Sequence, residues 1–361
     1  MKPAARCSSP AKEGTVRITE NGPFLLESGE ILTHVDVRFA IYGEANAACD
    51  NVVLVCHALS GSATVHDWWP DLLNMLDPTR NCILCTNVIG SCYGTTGPLS
   101  INPATGEPYN STFPRVTIRD MVRAEALAAD QLGIRRFKGV IGGSIGGMQA
   151  LQWAVDFPDR VEACVAIGAC PLGAMGIGLN RLQRQIIALD PLWNGGQYSP
   201  EAPPIDGLAI ARALAVCTYK SSELFDERHG RKPNRTGPAP WESRGGRFDI
   251  EGYLDHQGEI FLRRFDANSY IAMTYAMDAF DPARDFGGED SAWSRVKARV
   301  LLVGISSDWL FPAADIRRMG DAMKAAGVNV TYSEIESQHG HDSFLAEPHQ
   351  LLPVTSAFLK I

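Results

Sequence analysis

The chain has 361 residues, of which 45% are hydrophobic and 20% are charged, and its formal net charge is −8. This acidic balance, with no long run of Lys or Arg, argues against a nucleic-acid-binding surface. Since no apolar stretch reaches the length of a membrane span and the polar N-terminus lacks the apolar core of a signal peptide, the sequence predicts a globular protein without either segment.

In chain order, short apolar runs alternate with amphipathic helical patterns, which predicts an α/β fold with a mainly parallel sheet. The runs at 52–56 and 82–86 are continuously apolar, as expected of central strands buried on both faces. Further strands are predicted at 35–42, 137–141, 161–167, 300–305 and 328–335. Helices are predicted at 118–132, 181–189, 208–219, 266–277, 313–326 and 349–360.

No buried strand is predicted between about residues 170 and 293, where helical patterns alternate with stretches rich in Pro and Gly. We therefore expect a core at 15–170 and 294–361, a helical lid insertion at 171–293, and a disordered leader at 1–14. The nine cysteines show no metal-binding spacing, and we expect reduced thiols, no bound metal and a cytoplasmic location.

The predicted strand at 137–141 leads into Gly142, Ser144 and Gly146, which fit the G-x-S-x-G nucleophile elbow. A serine on a sharp strand-to-helix turn crowds its neighbours two residues away on either side, and glycine relieves that crowding. A dinucleotide-binding turn needs glycine at its third position, where Ser144 stands, and the Lys of a phosphate-binding loop is absent. A glycine-lined turn without chemistry remains an alternative.

A serine hydroxyl needs a base to take its proton, and a third group must orient that base. In this topology the acid and then the histidine follow the serine along the chain. Asp308 directly follows the predicted strand at 300–305, although it could instead be a turn residue. His341 follows the last strand, with His339 as an alternative.

Asp266 and Asp281 are weaker candidates for the acid, because both lie in the predicted insertion. The loop after the strand at 52–56 is expected to supply one oxyanion donor, the N–H of Leu59, and the residue after the nucleophile, Ile145, the second.

The elbow and seven further segments resemble the homoserine O-acetyltransferase family. These segments are 57–61, 93–98, 100–106, 116–122, 264–270, 307–312 and 340–342, and the resemblance runs from about residue 24 to the end. It implies an α/β-hydrolase core with a helical lid, usually as a homodimer, and it places the triad on Ser144, Asp308 and His341.

The resemblance also implies an acyl-serine (ping-pong) reaction of methionine biosynthesis, in which acetyl-CoA is a co-substrate, no cofactor is tightly bound and L-homoserine is the acceptor. Arg212 would bind the carboxylate of homoserine and Asp342 its ammonium group. From the sequence alone Arg212 is interpreted as an ordinary helix residue, whereas for Asp342 a helix cap and the binding role are equally open. Ile145, Ser343, Lys220 and the glycine-rich segment 170–180 depart from the family pattern.

These departures leave the acyl group (acetyl or succinyl) and the acceptor (homoserine, serine or another alcohol) open. Two other hypotheses are a hydrolase of esters or thioesters, which would release acid from acyl-CoA without an acceptor, and a non-catalytic binding module of the same fold. We expect neither nucleic acid nor a membrane as a partner.

Overall fold

The computed structural model describes residues 9–361, and an α/β sheet forms their centre. The strands are β1 (Lys12–Arg17), β2 (Phe24–Leu25), β3 (Ile31–Leu32), β4 (Asp36–Tyr42), β5 (Val52–Cys56), β6 (Cys82–Thr86), β7 (Gly139–Gly143), β8 (Ala163–Ile167), β9 (Arg299–Ile305) and β10 (Val330–Ile335). Eight of them form one sheet in the order β1-β4-β6-β5-β7-β8-β9-β10, and β2 pairs with β3 separately. The pairs β1–β4 and β4–β6 are antiparallel and the rest of the large sheet is parallel, so the predicted fold class is confirmed.

Helices cover both faces of this sheet. They are α1 (Val65–Trp68), α2 (Pro70–Leu76), α3 (Ile118–Gln131), α4 (Ile145–Asp156), α5 (Ala174–Leu189), α6 (Ile205–Tyr219), α7 (Ser222–Arg228), α8 (Asp249–Leu262), α9 (Ala267–Asp278), α10 (Glu289–Trp293), α11 (Ala313–Ala325), α12 (Ser343–Ala346) and α13 (Pro348–Leu359). Short 3₁₀ segments occupy Asn110–Thr112, Pro191–Gly196 and Gly340–Asp342. No helix in residues 9–361 combines the length and the apolar character that a membrane crossing requires.

Strands β5, β6, β7 and β8 are buried along their whole length. Side chains of α3, α4 and α11 pack on one face of the sheet, and those of α2 and α13 pack on the other. Burial on both faces explains why these strands are continuously apolar in the sequence.

Between β8 and β9 the structure has the helices α5–α10 and no strand among the described residues, which is the segment predicted as an insertion. Helix α5 begins seven residues before the predicted start at 181, although Gly176 and Gly178 disfavour helix. Gly176 is buried, and a Cβ there would lie 2.7 Å from Leu172, so packing overrides its low helix propensity.

The predicted leader at 1–14 is wrong for residues 12–14, because Lys12–Arg17 forms β1 and pairs along β4. In this edge strand four of the six residues are exposed and Val16 is the one aliphatic residue, so hydropathy alone did not reveal it. Residues 1–8 lie outside the described part of the chain.

Candidate active site

Ser144 occupies a sharp turn between β7 and α4. Its backbone is in a strained conformation, with φ 59° and ψ −129°, and its N–H donates to the carbonyl of Ile167 at 2.9 Å. A Cβ on Gly142 would lie 2.3 Å from the Gly146 backbone, and one on Gly146 would lie 2.2 Å from the Cys56 carbonyl oxygen. Only glycine fits at both motif positions, as the elbow requires.

Asp308 and His341 follow the neighbouring parallel strands β9 and β10, so their loops meet at the carboxyl edge of the sheet. His341 Nδ1 is 2.6 Å from Asp308 Oδ2, and both residues are buried. Asp308 Oδ1 accepts the backbone N–H groups of Leu310 and Phe311 at 3.0 and 2.9 Å. The carboxylate is therefore fixed on one side by backbone donors and holds the imidazole on the other.

Ser144 and His341 line one cavity of about 220 Å³. His341 Nε2 is buried in it and has no hydrogen-bond partner among the described residues. A base nitrogen facing the nucleophile in an unliganded site often makes its hydrogen bond only once substrate is bound. His339, the alternative base, does not line this cavity.

Burial opposes a charged imidazolium at His341. The Asp308 carboxylate outweighs this effect through its charge and its hydrogen bond, and Asp342 adds to it, so the pKa of His341 is raised above its ordinary value. By contrast, burial lowers the pKa of His57 to about 4. Its hydrogen bonds are those of a neutral imidazole, since Nδ1 donates to the Ala58 carbonyl at 2.8 Å and Nε2 accepts from Val88 N–H at 3.1 Å.

The predicted oxyanion donors lie where β5 and β7 end. Ile145 is the first residue of α4, so its N–H has no partner inside the helix. The N–H of Leu59 makes no hydrogen bond to another described residue, and Leu59 lines the same cavity as Ser144. Gln149 Nε2 donates to the carbonyls of Ile145 and His57, at 3.2 and 3.4 Å, and so ties the two segments together.

The two alternative candidates for the acid, Asp266 and Asp281, make hydrogen bonds away from the cavity. Asp266 caps α9 by accepting the N–H of Ser269 at 2.7 Å, and Asp281 accepts the N–H of Ala283 at 2.9 Å in a turn. Neither lines the cavity of Ser144. Both are structural residues in this fold.

Arg212 of α6 and Asp342 also line the cavity, as the acceptor-binding hypothesis requires. Arg212 stacks on the rings of Tyr219 and Phe261, its Nε is buried without a hydrogen-bond partner, and it forms no ion pair with the described residues. Arg212 is half-buried, and a guanidinium that lines a cavity without a carboxylate partner is suited to an anionic ligand.

Two basic residues at this site were not predicted as functional. Lys220 Nζ lies 2.9 Å from Asp342 Oδ2, so the carboxylate is already paired while Oδ1 has no partner among residues 9–361. Arg264, from the insertion, also lines the cavity. Its segment, 264–270, was one that carried the family resemblance, but nothing in the sequence indicated its partner.

Within residues 9–361, no group of three or more His, Cys, Asp or Glu side chains is arranged to hold a metal ion. The groups that the structure gathers at this cavity are Ser144, the His341–Asp308 pair and nearby backbone N–H groups. This set supports acyl transfer to water or to another hydroxyl.

Comparison with known proteins agrees with this geometry. Residues 51–348 match the model of the alpha/beta hydrolase fold family. The chain is 44% identical to the homoserine O-acetyltransferase of Symbiobacterium thermophilum over 343 residues, which cover 91% of this chain and 90% of the relative.

Two solved structures extend the comparison. The homoserine O-acetyltransferase of Bacillus anthracis superposes with a TM-score of 0.87 at 28% identity, covering 97% of this chain and 98% of the other. Esterase E22 has a TM-score of 0.87 at 24% identity, covering 96% and 99%, which shows a shared fold. The chain is therefore an enzyme of the α/β-hydrolase fold and belongs to the homoserine O-acetyltransferase family.

Proposed function

We propose that this enzyme moves an acetyl group from acetyl-CoA to the hydroxyl of L-homoserine through an acetyl-serine intermediate. The observation that carries the proposal is the pair of charges beside the nucleophile. Arg212 offers an unpaired cation and Asp342 a carboxylate in the cavity that holds Ser144 and His341. An amino-acid acceptor carries the complementary carboxylate and ammonium group, whereas water, the acceptor in hydrolysis, needs neither.

In the first half-reaction, Ser144 Oγ attacks the thioester carbonyl carbon as its proton passes to His341 Nε2. The backbone N–H groups of Leu59 and Ile145 stabilise the oxyanion. The C–S bond then breaks, and the imidazolium returns the proton to the departing thiolate, which leaves as CoA. Asp308 stabilises the imidazolium throughout.

In the second half-reaction, the γ-hydroxyl of homoserine attacks the acetyl-serine carbonyl and gives its proton to His341 Nε2. The tetrahedral adduct collapses, the bond to Ser144 Oγ breaks, and the proton returns to that oxygen. Arg212 holds the substrate carboxylate, and Asp342 Oδ1 accepts from the ammonium group. Both contacts favour the amino acid over water at the same position.

The walls of the cavity favour a short acyl group. Trp68, Phe344, Leu345 and Leu59 supply apolar surface around a volume of about 220 Å³. A succinyl group would bring a second carboxylate into this space and would compete with homoserine for the cations. We therefore favour acetyl over succinyl as the donor group, with O-acetylhomoserine supplied to methionine biosynthesis.

A homodimer is also part of the proposal. Met175, Leu182 and Leu189 are 68%, 51% and 80% exposed and stand seven residues apart on α5, so they form one apolar stripe. A cavity of about 540 Å³ beside Leu182 and Leu189 is lined by further apolar and aromatic side chains and, in part, by Arg181, Arg184 and Gln185. A second copy that presents the same stripe would bury it.

The test is a matrix of donors, acetyl-CoA and succinyl-CoA, against acceptors, homoserine and serine, read by release of free CoA. Acetyl-CoA alone should add one acetyl group to Ser144, and homoserine should then raise the turnover rate. Ser144→Ala is the control for covalent attachment. Release of acetate at the same rate with and without homoserine would instead show that the enzyme is a hydrolase. Hydrolysis is the alternative to exclude because esterase E22 has the same fold.

A further inference from the structure

The turn that carries the predicted oxyanion donor Leu59 is held from several sides. Gly61 N–H donates to the Ala58 carbonyl at 2.8 Å and closes the turn, and His57 Nδ1 donates to the same carbonyl at 2.8 Å. Trp68 Nε1 donates to the Ser62 carbonyl at 2.8 Å. These groups all belong to the core, and they leave the Ser60 carbonyl, next to Leu59, without a core partner.

Arg264 supplies that partner from the insertion. Its Nη1 donates to the Ser60 carbonyl at 2.7 Å and to Tyr93 Oη at 3.3 Å, although 204 residues separate Arg264 from Ser60 in the chain. Arg264 is exposed and forms no ion pair with the described residues. Besides the Ser60 carbonyl and Tyr93, its guanidinium contacts the ring of Phe261, at 5.6 Å from the ring centroid, and it lines the cavity.

The position of Arg264 is fixed by the insertion itself. It lies between α8 and α9, where its N–H donates to the Phe261 carbonyl at 3.1 Å. The ring of the next residue, Phe265, stacks on Phe261 at 4.9 Å and meets Tyr93 edge-on at 5.8 Å. The insertion therefore presents the guanidinium to the core at one place.

We infer that Arg264 is a positioning residue that holds the Ala58–Gly61 turn in the geometry needed for Leu59 N–H to meet the oxyanion. The consequence is that oxyanion stabilisation depends on the docking of the insertion, and not on the core alone. This inference deepens the proposed function and rests on its acyl-serine step.

The experiment measures the rate constant for acetylation of Ser144 by two donors, acetyl-CoA and p-nitrophenyl acetate. The small ester has no CoA moiety, so it reports on the oxyanion hole without CoA binding. We expect Arg264→Gln to slow acetylation by both donors by the same factor, about 10- to 100-fold, because small displacements of a catalytic donor have effects of that size. The KM for each donor should change less than about threefold if only the transition state is affected.

Two variants complete the design. Arg264→Lys keeps a donor on a long side chain and should recover part of the rate for both donors. Arg263→Gln is the matched control. Arg263 is the neighbouring residue and is exposed, as Arg264 is, but its side chain makes no hydrogen bond or ion pair within residues 9–361, so this variant should react at the unsubstituted rate.

Several outcomes would overturn the inference. If Arg264→Gln slows acetylation by acetyl-CoA but not by p-nitrophenyl acetate, the residue binds CoA instead of positioning the turn. If Arg263→Gln slows acetylation by both donors as much as Arg264→Gln does, the effect of Arg264→Gln comes from a general disturbance of the insertion. If the variant reacts at the unsubstituted rate, this inference alone fails, whereas an unsubstituted enzyme that neither donor acetylates would overturn the proposed function and the inference with it.

Discussion

Asp308→Asn is the substitution whose effect the structure specifies most closely. Oδ1 of Asp308 accepts the N–H groups of Leu310 and Phe311, whereas Oδ2 contacts His341 Nδ1. In the variant, the amide oxygen must take the Oδ1 position, since the NH₂ group there would leave two backbone donors unpaired, at about 1–3 kcal/mol each. The NH₂ group then faces His341.

That orientation reverses the tautomer of His341. The asparagine NH₂ donates to Nδ1, so the imidazole proton moves to Nε2, which can no longer take the proton of Ser144. We expect kcat to fall by about 10⁴-fold, the effect known for the equivalent change in a serine protease triad, with little change in KM. The measurements are steady-state CoA release and the rate of Ser144 acetylation.

The pH profile gives a second measurement on the same variant. In the proposed mechanism His341 must be neutral to take the proton of Ser144, so we expect activity to be lost as the pH falls through the pKa of this residue. Asp308 raises that pKa in the unsubstituted enzyme, and its loss should move the acidic limb of kcat/KM to lower pH. Asp321→Asn, on an exposed side chain of α11, is the matched control and should change neither quantity. A loss smaller than tenfold, or an acidic limb that moves to higher pH, would refute the reasoning.

Three further changes test other parts of the molecule. Arg212→Lys replaces a planar two-pronged donor and should raise the KM for homoserine about 10- to 100-fold, measured by CoA release, while acetylation of Ser144 by acetyl-CoA alone stays unchanged. Leu182→Glu places a charge in the exposed stripe of α5 and should convert a dimer to a monomer in light scattering; a variant that stays dimeric would place the interface elsewhere. Burial raises the pKa of Glu125 from 4.5 to about 7, so charging this group destabilises the fold as the pH rises through that window. Relative to Glu125→Gln, the unsubstituted protein should therefore lose about 3 kcal/mol of unfolding free energy between pH 4.5 and pH 8, and an unchanged difference in denaturant titrations would contradict this.

The sequence was sufficient for the parts of the fold where local pattern and burial agree. The strands at 52–56 and 82–86 have the predicted bounds, because central parallel strands are apolar on both faces. Chain order alone then placed Asp308 after β9 and His341 after β10, and the structure brings these two side chains into contact. The nucleophile elbow could also be predicted from the sequence, because a Cβ at position 142 or 146 would clash with backbone atoms and only glycine fits there.

Contacts between distant segments were not predictable in the same way. Lys220 and Asp342 are 122 residues apart, and their pairing arises only when α6 meets the segment Gly340–Asp342. A Cβ on Gly340, whose φ is +63°, would lie 2.8 Å from the Lys220 Cα, so these backbones touch. The sequence shows both charges but no periodicity that relates them.

The core and the insertion contribute different groups to the site. The core supplies Ser144, His341 and Asp308, a set of residues that is suited to acyl transfer in general. Its fold is shared with esterase E22. The charges available to recognise an amino acid are different in origin. Arg212 comes from the insertion, whereas Asp342 comes from the core loop and is contacted there by Lys220, the residue that follows α6. Since the acyl-serine of the proposed mechanism reacts with water or with a hydroxyl, the acceptor would be selected by the molecule that occupies the cavity beside it. Acceptor choice should therefore respond to changes in the insertion that leave the chemistry of Ser144 intact.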